Sequence, residues 1–218
     1  MRATLAVAAV AAGAFAGSVT TTHWFVAADG AFHEAANWNP AEVPTGTEAF
    51  NAIVTNGTVR ISQDASLWTF GIGTRGCANG IQTGGVLTLR ASGSPDSAFS
   101  LGGCQDGAAH AAIPMVGTYT LAGGVLRTPN GYLHVGQRAA DNASEGILHV
   151  TGGAVTCATW TAIGRYTGGR GHALVEGTGT FTVTGNGLNV GEDGLGLLTV
   201  RNGGAVTVNA PIDRKSVV

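Results

Sequence analysis

The feature that most constrains the fold of this sequence is a glycine-bounded phrase that recurs along its second half. Copies of the phrase begin at Gly117, Gly146, Gly171 and Gly196, in steps of 29, 25 and 25 residues. A weaker copy opens at Gly85. A second phrase, an apolar segment that ends in glycine, follows the first and closes at Gly136, Gly164 and Gly191. A repeat of this length indicates one small structural unit that stacks on its neighbours.

Inside each copy of the first phrase the third and fifth residues are apolar, and the residue between them is polar in most copies. This period of two predicts a short strand with one buried face, and the glycines that follow supply the positive φ angles of a sharp turn. The residues predicted to form a buried core column are Leu87, Leu89, Tyr119, Leu121, Leu148, Val150, Ala173, Val175, Leu198 and Val200.

Two further short strands complete each repeat. Three strands and three turns in about 25 residues predict one coil of a right-handed parallel β-helix, or β-solenoid, within an all-β chain. An antiparallel β-sandwich or barrel is the alternative, because these folds also join many short strands by turns. Neither of them requires the same phrase at the same place in every period.

The N-terminal part of the chain lies outside the repeat. Residues 1–16 resemble a secretory signal peptide, because Arg2 precedes an uncharged apolar run that ends in the small-x-small site 14–16. That run is shorter than the ~20 residues needed to span a bilayer, so we expect no membrane insertion. Residues 17–62 are predicted to form a cap over the first coil, whose core and edge would otherwise be open.

Residues 63–212 contain the repeats, and residues 213–218 look foreign to them. The last segment holds the only lysine of the chain, Lys215, and interrupts a repeat shortly after Val208. It resembles a translated sequencing adapter. We expect it to be a non-native tail, with the native repeat region truncated near Ile212 and the protein continuing beyond it.

Composition excludes some classes of function. Between residues 17 and 212 the chain has 8 Arg against 12 Asp plus Glu, a formal charge of −4. Neither nucleic acid nor an anionic membrane surface is therefore implied as a partner. Glycine makes up 36 of 218 residues but lacks the every-third-residue spacing of collagen.

Two of the three cysteines are predicted to form a disulfide. Cys77 and Cys104 each follow a second phrase by a few residues and are 27 residues apart, about one coil. Equivalent positions of stacked coils lie about 5 Å apart, a separation that a disulfide bridges. Cys157 is interpreted as a small buried apolar residue. No spacing of cysteine and histidine indicates a metal site, and no cofactor is predicted.

Residues that could carry chemistry are scattered along the sequence. His134 and His149 fall at outward strand positions and are interpreted as residues of a polar face. Charged and polar residues also follow the second phrase at similar places, and this column is interpreted as a solvated edge of the coil. Its members are Thr74, Arg75, Gln137, Arg138, Arg165, Glu192 and Asp193. No catalytic residue is assigned.

Two tryptophans lie in the predicted cap. Trp24 and Trp38 are interpreted as core anchors, with stacking on sugar rings as the alternative.

The phrase G-x-L-T-V-x-G-G-A-V, followed by L-x-V-G, resembles the repeat shared by bacterial autotransporter passenger regions and PEP-CTERM-type exported proteins. Residues 24–44, with Asn37-Trp38 and Val43-Pro44, are similar to the N-terminus common in such proteins. The resemblance implies export, a β-helical stalk or passenger, and an outer-membrane barrel or a short sorting anchor downstream. It carries no catalytic residue that could be assigned here.

The sequence therefore favours an exported, non-enzymatic protein of the cell surface or extracellular space. Its expected role is that of a stalk or passenger with adhesin-like or matrix function, with polysaccharide or other surface components as partners. The alternative is a protein that binds or cleaves polysaccharide along one face. Acidic and aromatic side chains gathered in one groove would favour the alternative, whereas an even, neutral, glycine- and threonine-rich surface favours the first hypothesis.

Overall fold

The computed structural model describes residues 21–46, 49–91, 97–103, 114–137, 144–209 and the backbone of 212–214. Within these residues the chain forms 20 β-strands and one short 3-10 helix, Ala35–Asn37. The predicted signal segment 1–16 lies outside the described residues. The strands are β1 (Thr21–Phe25), β2 (Asp29–Ala31), β3 (Trp38–Asn39), β4 (Phe50–Ile61), β5 (Ala65–Leu67), β6 (Thr69–Gln82), β7 (Val86–Leu89), β8 (Ser97–Leu101), β9 (Met115–Leu121), β10 (Val125–Thr128), β11 (Tyr132–Gln137), β12 (Ser144–Val150), β13 (Ala154–Cys157), β14 (Trp160–Arg165), β15 (Gly169–Val175), β16 (Thr180–Val183), β17 (Gly187–Val190), β18 (Leu195–Val200), β19 (Ala205–Val208) and β20 (Ile212–Arg214).

The strands form two sheets. The smaller sheet has the order β19-β16-β13-β10-β7-β5. The larger sheet has the order β18-β15-β12-β9-β6-β8-β11-β14-β17-β20, and β4 joins it beside β6. On one side of β6 this sheet has a first arm, β9, β12, β15 and β18, and on the other side a second arm, β8, β11, β14, β17 and β20. Residues 70–72 of β6 pair with β8 and residues 77–82 pair with β9, so β6 belongs to both arms. The two arms contact each other, and the larger sheet is a nearly closed wall of parallel strands.

Successive strands visit the smaller sheet, the second arm and the first arm in turn, as β10, β11 and β12 do. We call such a three-strand unit a rung. Equivalent strands of neighbouring rungs pair in register, and Gly146 lies opposite both Gly117 and Gly171. The predictions of an all-β chain and of parallel pairing are confirmed. The antiparallel alternative is wrong, because among the described strands only β1 and β3 pair antiparallel.

The repeated glycines are explained by the corner where the two arms meet. The glycine that ends the second phrase has a positive φ, +74° at Gly136 and +73° at Gly164. The glycine that begins the first phrase packs directly on backbone atoms. A Cβ on Gly171 would lie 2.1 Å from the carbonyl oxygen of Val135 and 2.3 Å from the amide nitrogen of Gly164. The periodic glycines are therefore a steric requirement of the corner.

Apolar side chains of the first arm stack in columns inside the walls. Leu148 lies in register with Tyr119 and Ala173, and all three are fully buried. The next column consists of the buried residues Leu121, Val150 and Val175. Leu198 is only partly buried and Val200 is 45% exposed, because β18 is the last strand of this arm in the described part of the chain.

Leu87 and Leu89 are buried, but in a different column from the predicted one. They lie on β7 of the smaller sheet, where Leu87 pairs with Leu126. The strand that aligns with the first phrase is instead formed by residues 78–82 of β6. The weaker copy that opens at Gly85 is therefore a turn followed by β7, a strand of the smaller sheet. The prediction that Leu87 and Leu89 belong to the column of the first phrase was wrong.

A buried glutamine occupies the core position opposite Leu121 in this early rung. The side-chain nitrogen of Gln82 donates to carbonyl oxygens at 3.0–3.1 Å, those of Gly84, Gly85 and Val125. Its Oε1 accepts a 2.6 Å hydrogen bond from the Tyr119 hydroxyl. Both polar groups are satisfied, so the amide is accommodated in the interior. Burial raises the pKa of Tyr119 well above its ordinary value.

The N-terminal segment covers one end of the core with aromatic rings. Phe25 and Phe32 pack edge-to-face on Trp38 at 5.2 Å between ring centroids, and Trp38 Nε1 donates to the Phe32 carbonyl oxygen at 2.8 Å. Trp38 is buried, as expected of a core anchor. β4 lies within the predicted cap segment 17–62, yet it pairs with β6 along both arms, with a register shift between Val54 and Asn56, and so continues the walls.

Candidate functional site

The outward face of the first strands carries two rows of side chains that cross the sheet. One row consists of the register partners Thr22, Asn51 and Thr69. The next row consists of Trp24, Ile53, Gly71 and Ser100. Trp24 is only partly buried, and its interpretation as a core anchor was wrong, because its neighbours His23 and Phe25 take the inward positions of β1.

These rows form the floor of an open groove, which we call the outer groove. The groove holds a cavity of about 280 Å³ that is open to solvent. Ile53 and Phe70 are apolar residues of its lining, and Arg75 is its cation. Hydroxyl and amide groups provide most of the rest, from Thr22, Asn51, Thr69, Thr74, Ser97 and Ser100.

Two contacts order the polar groups of the outer groove. Thr69 Oγ1 donates to Asn51 Oδ1 at 2.7 Å, which leaves the amide nitrogen of Asn51 as a donor. The Arg75 guanidinium lies over the Trp24 ring, 5.2 Å from its centroid, within the range of a cation–π contact. None of the described residues that line the groove is acidic.

A buried group of polar side chains adjoins the groove and shares Ser97 with it. We call this group the histidine cluster: Ser97, His134, Gln137, Arg165 and Glu192. Nδ1 of His134 contacts Ser97 Oγ and lies 3.3 Å from Gln137 Oε1. Nε2 of His134 lies 3.1 Å from Arg165 Nη1, and Arg165 Nε lies 3.4 Å from Glu192 Oε2. The guanidinium of Arg165 also stacks on two rings, at 4.5 Å from Trp160 and 4.2 Å from Tyr166.

The donors of this cluster determine the tautomer of His134. A guanidinium only donates hydrogen bonds, so Nε2 is an acceptor and the ring proton resides on Nδ1. That proton is directed at Ser97 Oγ, whose own hydroxyl donates to Gln137 Oε1 at 3.3 Å. Burial, with a further contribution from the positive charge of Arg165, lowers the pKa of His134 to about 3.

This arrangement does not activate a nucleophile. In a serine hydrolase triad the imidazole accepts the serine proton, and a carboxylate supports the charge that results. Here the imidazole donates toward Ser97, and a cation occupies the place of the carboxylate. The cluster therefore holds strands together without serving as a general base.

We expect His134 to remain neutral, as the Nδ1–H tautomer, between pH 8 and pH 4 in the folded protein. Its pKa lies below the ordinary value of 6.5, so the unfolded chain binds a proton that the folded chain does not. The resulting contribution to stability is present above about pH 6.5 and is lost as the pH falls toward 3. Imidazole ¹⁵N chemical shifts measure the tautomer directly, and a titration of His134 near pH 6.5 in the folded protein would contradict the assignment.

The interpretation of the charged column as a solvated edge was wrong for four of its members, and one of these is Thr74, which is 9% exposed. Gln137 is 4% exposed, and the side chains of Arg165 and Glu192 are 15% and 26% exposed. Gln137 and Arg165 contact His134, and Glu192 forms an ion pair with Arg165. His134 holds the predicted outward register but is fully buried by these neighbours. Ser97 was missed because it lies 37 residues from His134 and follows no repeated phrase.

A second polar group links rungs at the edge of the first arm. His149 Nε2 lies 2.7 Å from Glu176 Oε1, and Arg201 Nε donates to Glu176 Oε2 at 2.8 Å. Hydrogen bonds from Arg201 and His149 lower the pKa of Glu176 to about 2. His149 thus lies on the outward face, where the sequence predicted it, and its imidazole contacts the next rung.

Replacing Glu176 with glutamine is expected to make stability less sensitive to acid. The carboxylate of Glu176 has a lower pKa in the folded chain than its ordinary 4.5, so its stabilising effect is present above about pH 4.5 and is lost as the pH falls toward 2. Thermal unfolding midpoints should therefore fall more steeply between pH 5 and pH 3 in the parent than in the variant. Glu145→Gln, at an exposed position of β12, is the matched control. Equal slopes for the parent and Glu176→Gln would contradict this role of the ion pairs.

The cysteines are placed differently from one another. Cys77 is exposed, its Sγ lies 3.6 Å from the Pro114 carbonyl oxygen, and its register partner in the next rung is Val116. Cys104 lies outside the described residues, so its pairing with Cys77 stays a prediction. Cys157 is buried, and it packs in the core of the smaller sheet.

Among the described residues, no group of three histidine, cysteine, aspartate or glutamate side chains is gathered closely enough to bind a metal ion. The same residues include no helix with the length and apolar character needed to span a bilayer. Comparison with protein-family models, with curated proteins and with solved structures found no match.

Proposed function

We propose that this chain is a non-enzymatic structural module of an exported protein. In this proposal it forms a right-handed parallel β-helix that acts as a stalk or passenger, with an adhesin-like or matrix role at the cell surface or outside the cell. The observation that carries the proposal is that charged and hydrogen-bonding side chains of the repeats pair with side chains one rung away.

Four side-chain contacts illustrate this use of polar residues. Their partners are separated by 25 to 31 residues, about one rung: Arg60 with Asp29, Arg165 with His134, His149 with Glu176, and Arg201 with Glu176. The corner glycines and the apolar columns follow the same spacing. Local stacking interactions of this kind stabilise a repeat array without requiring contacts between distant parts of the chain.

The β-helical interpretation is supported by the order in which the strands visit the three walls. Each rung enters the smaller sheet, the second arm and the first arm in the same order, and parallel partners recur in register. A right-handed path is the usual hand for connections between parallel strands of one sheet. Export is supported by the signal-like residues 1–16 and by the resemblance of the repeats to exported bacterial proteins.

The proposal is tested by expressing the full chain with a C-terminal epitope in a bacterial host. We expect the epitope to be recovered in the medium or to be removed by protease from intact cells. Removal of residues 1–16 should retain the protein in the cytoplasm. Recovery of the unprocessed full chain from the cytoplasm alone would contradict the proposed export.

A second candidate function is the binding or cleavage of polysaccharide. The outer groove favours binding, since its lining combines hydroxyl and amide groups with apolar residues beside an aromatic ring. Cleavage would require a general acid or base directed at the groove. Incubation of the purified chain with acidic and neutral polysaccharides, followed by measurement of new chain ends, tests it. A release of chain ends that Arg75→Gln abolishes would overturn the non-enzymatic proposal.

A further inference from the structure

We propose that His23 and Glu42 form a pH-dependent latch, in which protonation of the buried imidazole brings the Glu42 carboxylate onto it. Closing the latch holds residues 40–46, which lie between β3 and β4 and which we call the strap, against the covered end of the core. This role goes beyond a structural stalk, because it makes the cover over one end of the core respond to pH.

His23 is a buried ionisable side chain without a hydrogen bond. It takes an inward position on β1, is fully buried, and has the buried Ala52 of β4 as its register partner. Its ring packs edge-on against Phe50, with 5.0 Å between the ring centroids. Neither ring nitrogen has a hydrogen-bond partner among the described residues. A neutral imidazole therefore leaves both its donor and its acceptor unsatisfied in this place, at a cost in free energy.

Glu42 provides the charged group that is nearest to this ring. Its Oε2 lies 3.8 Å from Nε2 of His23, whereas Phe50 and Ala52, the β4 residues beside the ring, are uncharged. An approach of about 1 Å would bring the two atoms to the separation of a charge-assisted hydrogen bond. The side chain of Glu42 is 63% exposed, so it can make this movement without displacing packed neighbours.

Protonation determines whether that approach is favourable. The neutral ring offers Glu42 only a neutral contact in exchange for the water around its carboxylate. The protonated ring carries a positive charge and donates from both nitrogens, and a charge buried away from water requires a counter-ion. Imidazole groups ordinarily change charge between about pH 5 and pH 8. The latch therefore closes toward pH 5 and opens toward pH 8.

The part of the strap that carries Glu42 has little else to hold it. The end of the strap is bound to β5, where Thr45 Oγ1 accepts a 3.0 Å hydrogen bond from the Ser66 amide. The Glu42 amide instead donates to the Pro40 carbonyl oxygen at 2.8 Å, which lies within the strap itself. Val43 is only partly buried against the core. Opening the latch is therefore expected to loosen the strap around Glu42 and to leave its other end in place.

Amide hydrogen exchange in the full chain, measured by NMR at pH 5.5 and pH 8.0, tests the proposal. Protection factors are compared, because they remove the intrinsic dependence of exchange on pH. We expect the amides of Glu42 and Val43 to be about threefold to tenfold better protected at pH 5.5. Glu42→Gln should abolish this difference, since a neutral amide cannot compensate the buried charge. Glu34→Gln removes another exposed carboxylate from the N-terminal segment and should preserve the difference.

A second measurement reports on the imidazole itself. The ¹⁵N chemical shifts of His23 should show both nitrogens protonated at pH 5.5. His23→Phe keeps an aromatic ring in this place without a group that titrates, and it should remove the pH dependence of strap protection. Circular dichroism identifies a folding defect in this variant, and Glu42→Gln, at an exposed position, tests the latch independently of it. A neutral His23 at pH 5.5, or an undiminished pH dependence in Glu42→Gln, would overturn the proposal.

Discussion

Replacing Gly171 with alanine is expected to lower the free energy of unfolding by about 3 kcal/mol or more. The added Cβ would lie 2.1 Å and 2.3 Å from backbone atoms of the two neighbouring turns, and backbone cannot move aside as a flexible side chain does. The corner must open, which separates the two arms in at least two rungs. Chemical denaturation followed by circular dichroism measures the loss.

Gly84→Ala is the matched control for this substitution. Neither Gly84 nor Gly171 has a positive φ, and the nearest atom to an added Cβ on Gly84 is the Ser62 carbonyl oxygen at 3.1 Å. We expect a loss below about 1 kcal/mol there, because a shift of a few tenths of an ångström is sufficient. Equal effects of the two variants would mean that the corner is not as closely packed as described.

Replacing Leu148 with aspartate is expected to be the most destabilising single change in the core, with a loss of about 4 kcal/mol or more. Leu148 is fully buried between Tyr119 and Ala173, and the variant loses its apolar burial and also places a carboxylate there without a cation in reach. The interior around it is an apolar column, so the charge has no compensating partner. We expect the variant to unfold at a temperature well below the midpoint of the parent, or to fail to accumulate.

Ile147→Asp tests the same strand one residue earlier. Ile147 is outward-facing and only partly buried, between Thr118 and His172 of the neighbouring rungs. The expected loss is about 1 kcal/mol or less. An equal loss at the two positions would contradict the alternation of inward and outward residues on β12.

Much of the fold could be predicted from the repeats, because their steric and apolar requirements are local. The first phrase predicted β9, β12, β15 and β18 and their inward residues, since period-two alternation depends on one strand alone. The glycines after each first phrase predicted turns, but no pattern explained why a glycine also begins each first phrase. The structure supplies that reason in the contact of each first-phrase glycine with the backbone of the neighbouring arm, as at Gly171.

The errors arose where a repeat is degenerate or where burial is determined by distant residues. Leu89 follows the pattern of the first phrase, but the strand in that column ends at Gln82, which replaces an apolar residue and conceals the alignment. Trp24 is large and aromatic, yet it lies on the outward face, because His23 and Phe25 take the inward positions of β1. His134 is outward by pattern, but it is buried by Gln137 at the end of its own strand and by Arg165 of the next rung. Such contacts between rungs have no signature in a single repeat.

The central claim is that successive rungs stack in parallel and in register, and engineered disulfides measure it most directly. In a background with the native cysteines replaced by serine, cysteines are introduced as Thr118→Cys with Ile147→Cys, which are register partners on β9 and β12. The comparison pair is Thr118→Cys with His149→Cys, two residues out of register. Register partners lie about 5 Å apart and a diagonal pair about 7–8 Å, so mild oxidation followed by mass spectrometry should find the first bridge and not the second. A bridge in the out-of-register pair alone, or in neither pair, would contradict the stacked arrangement.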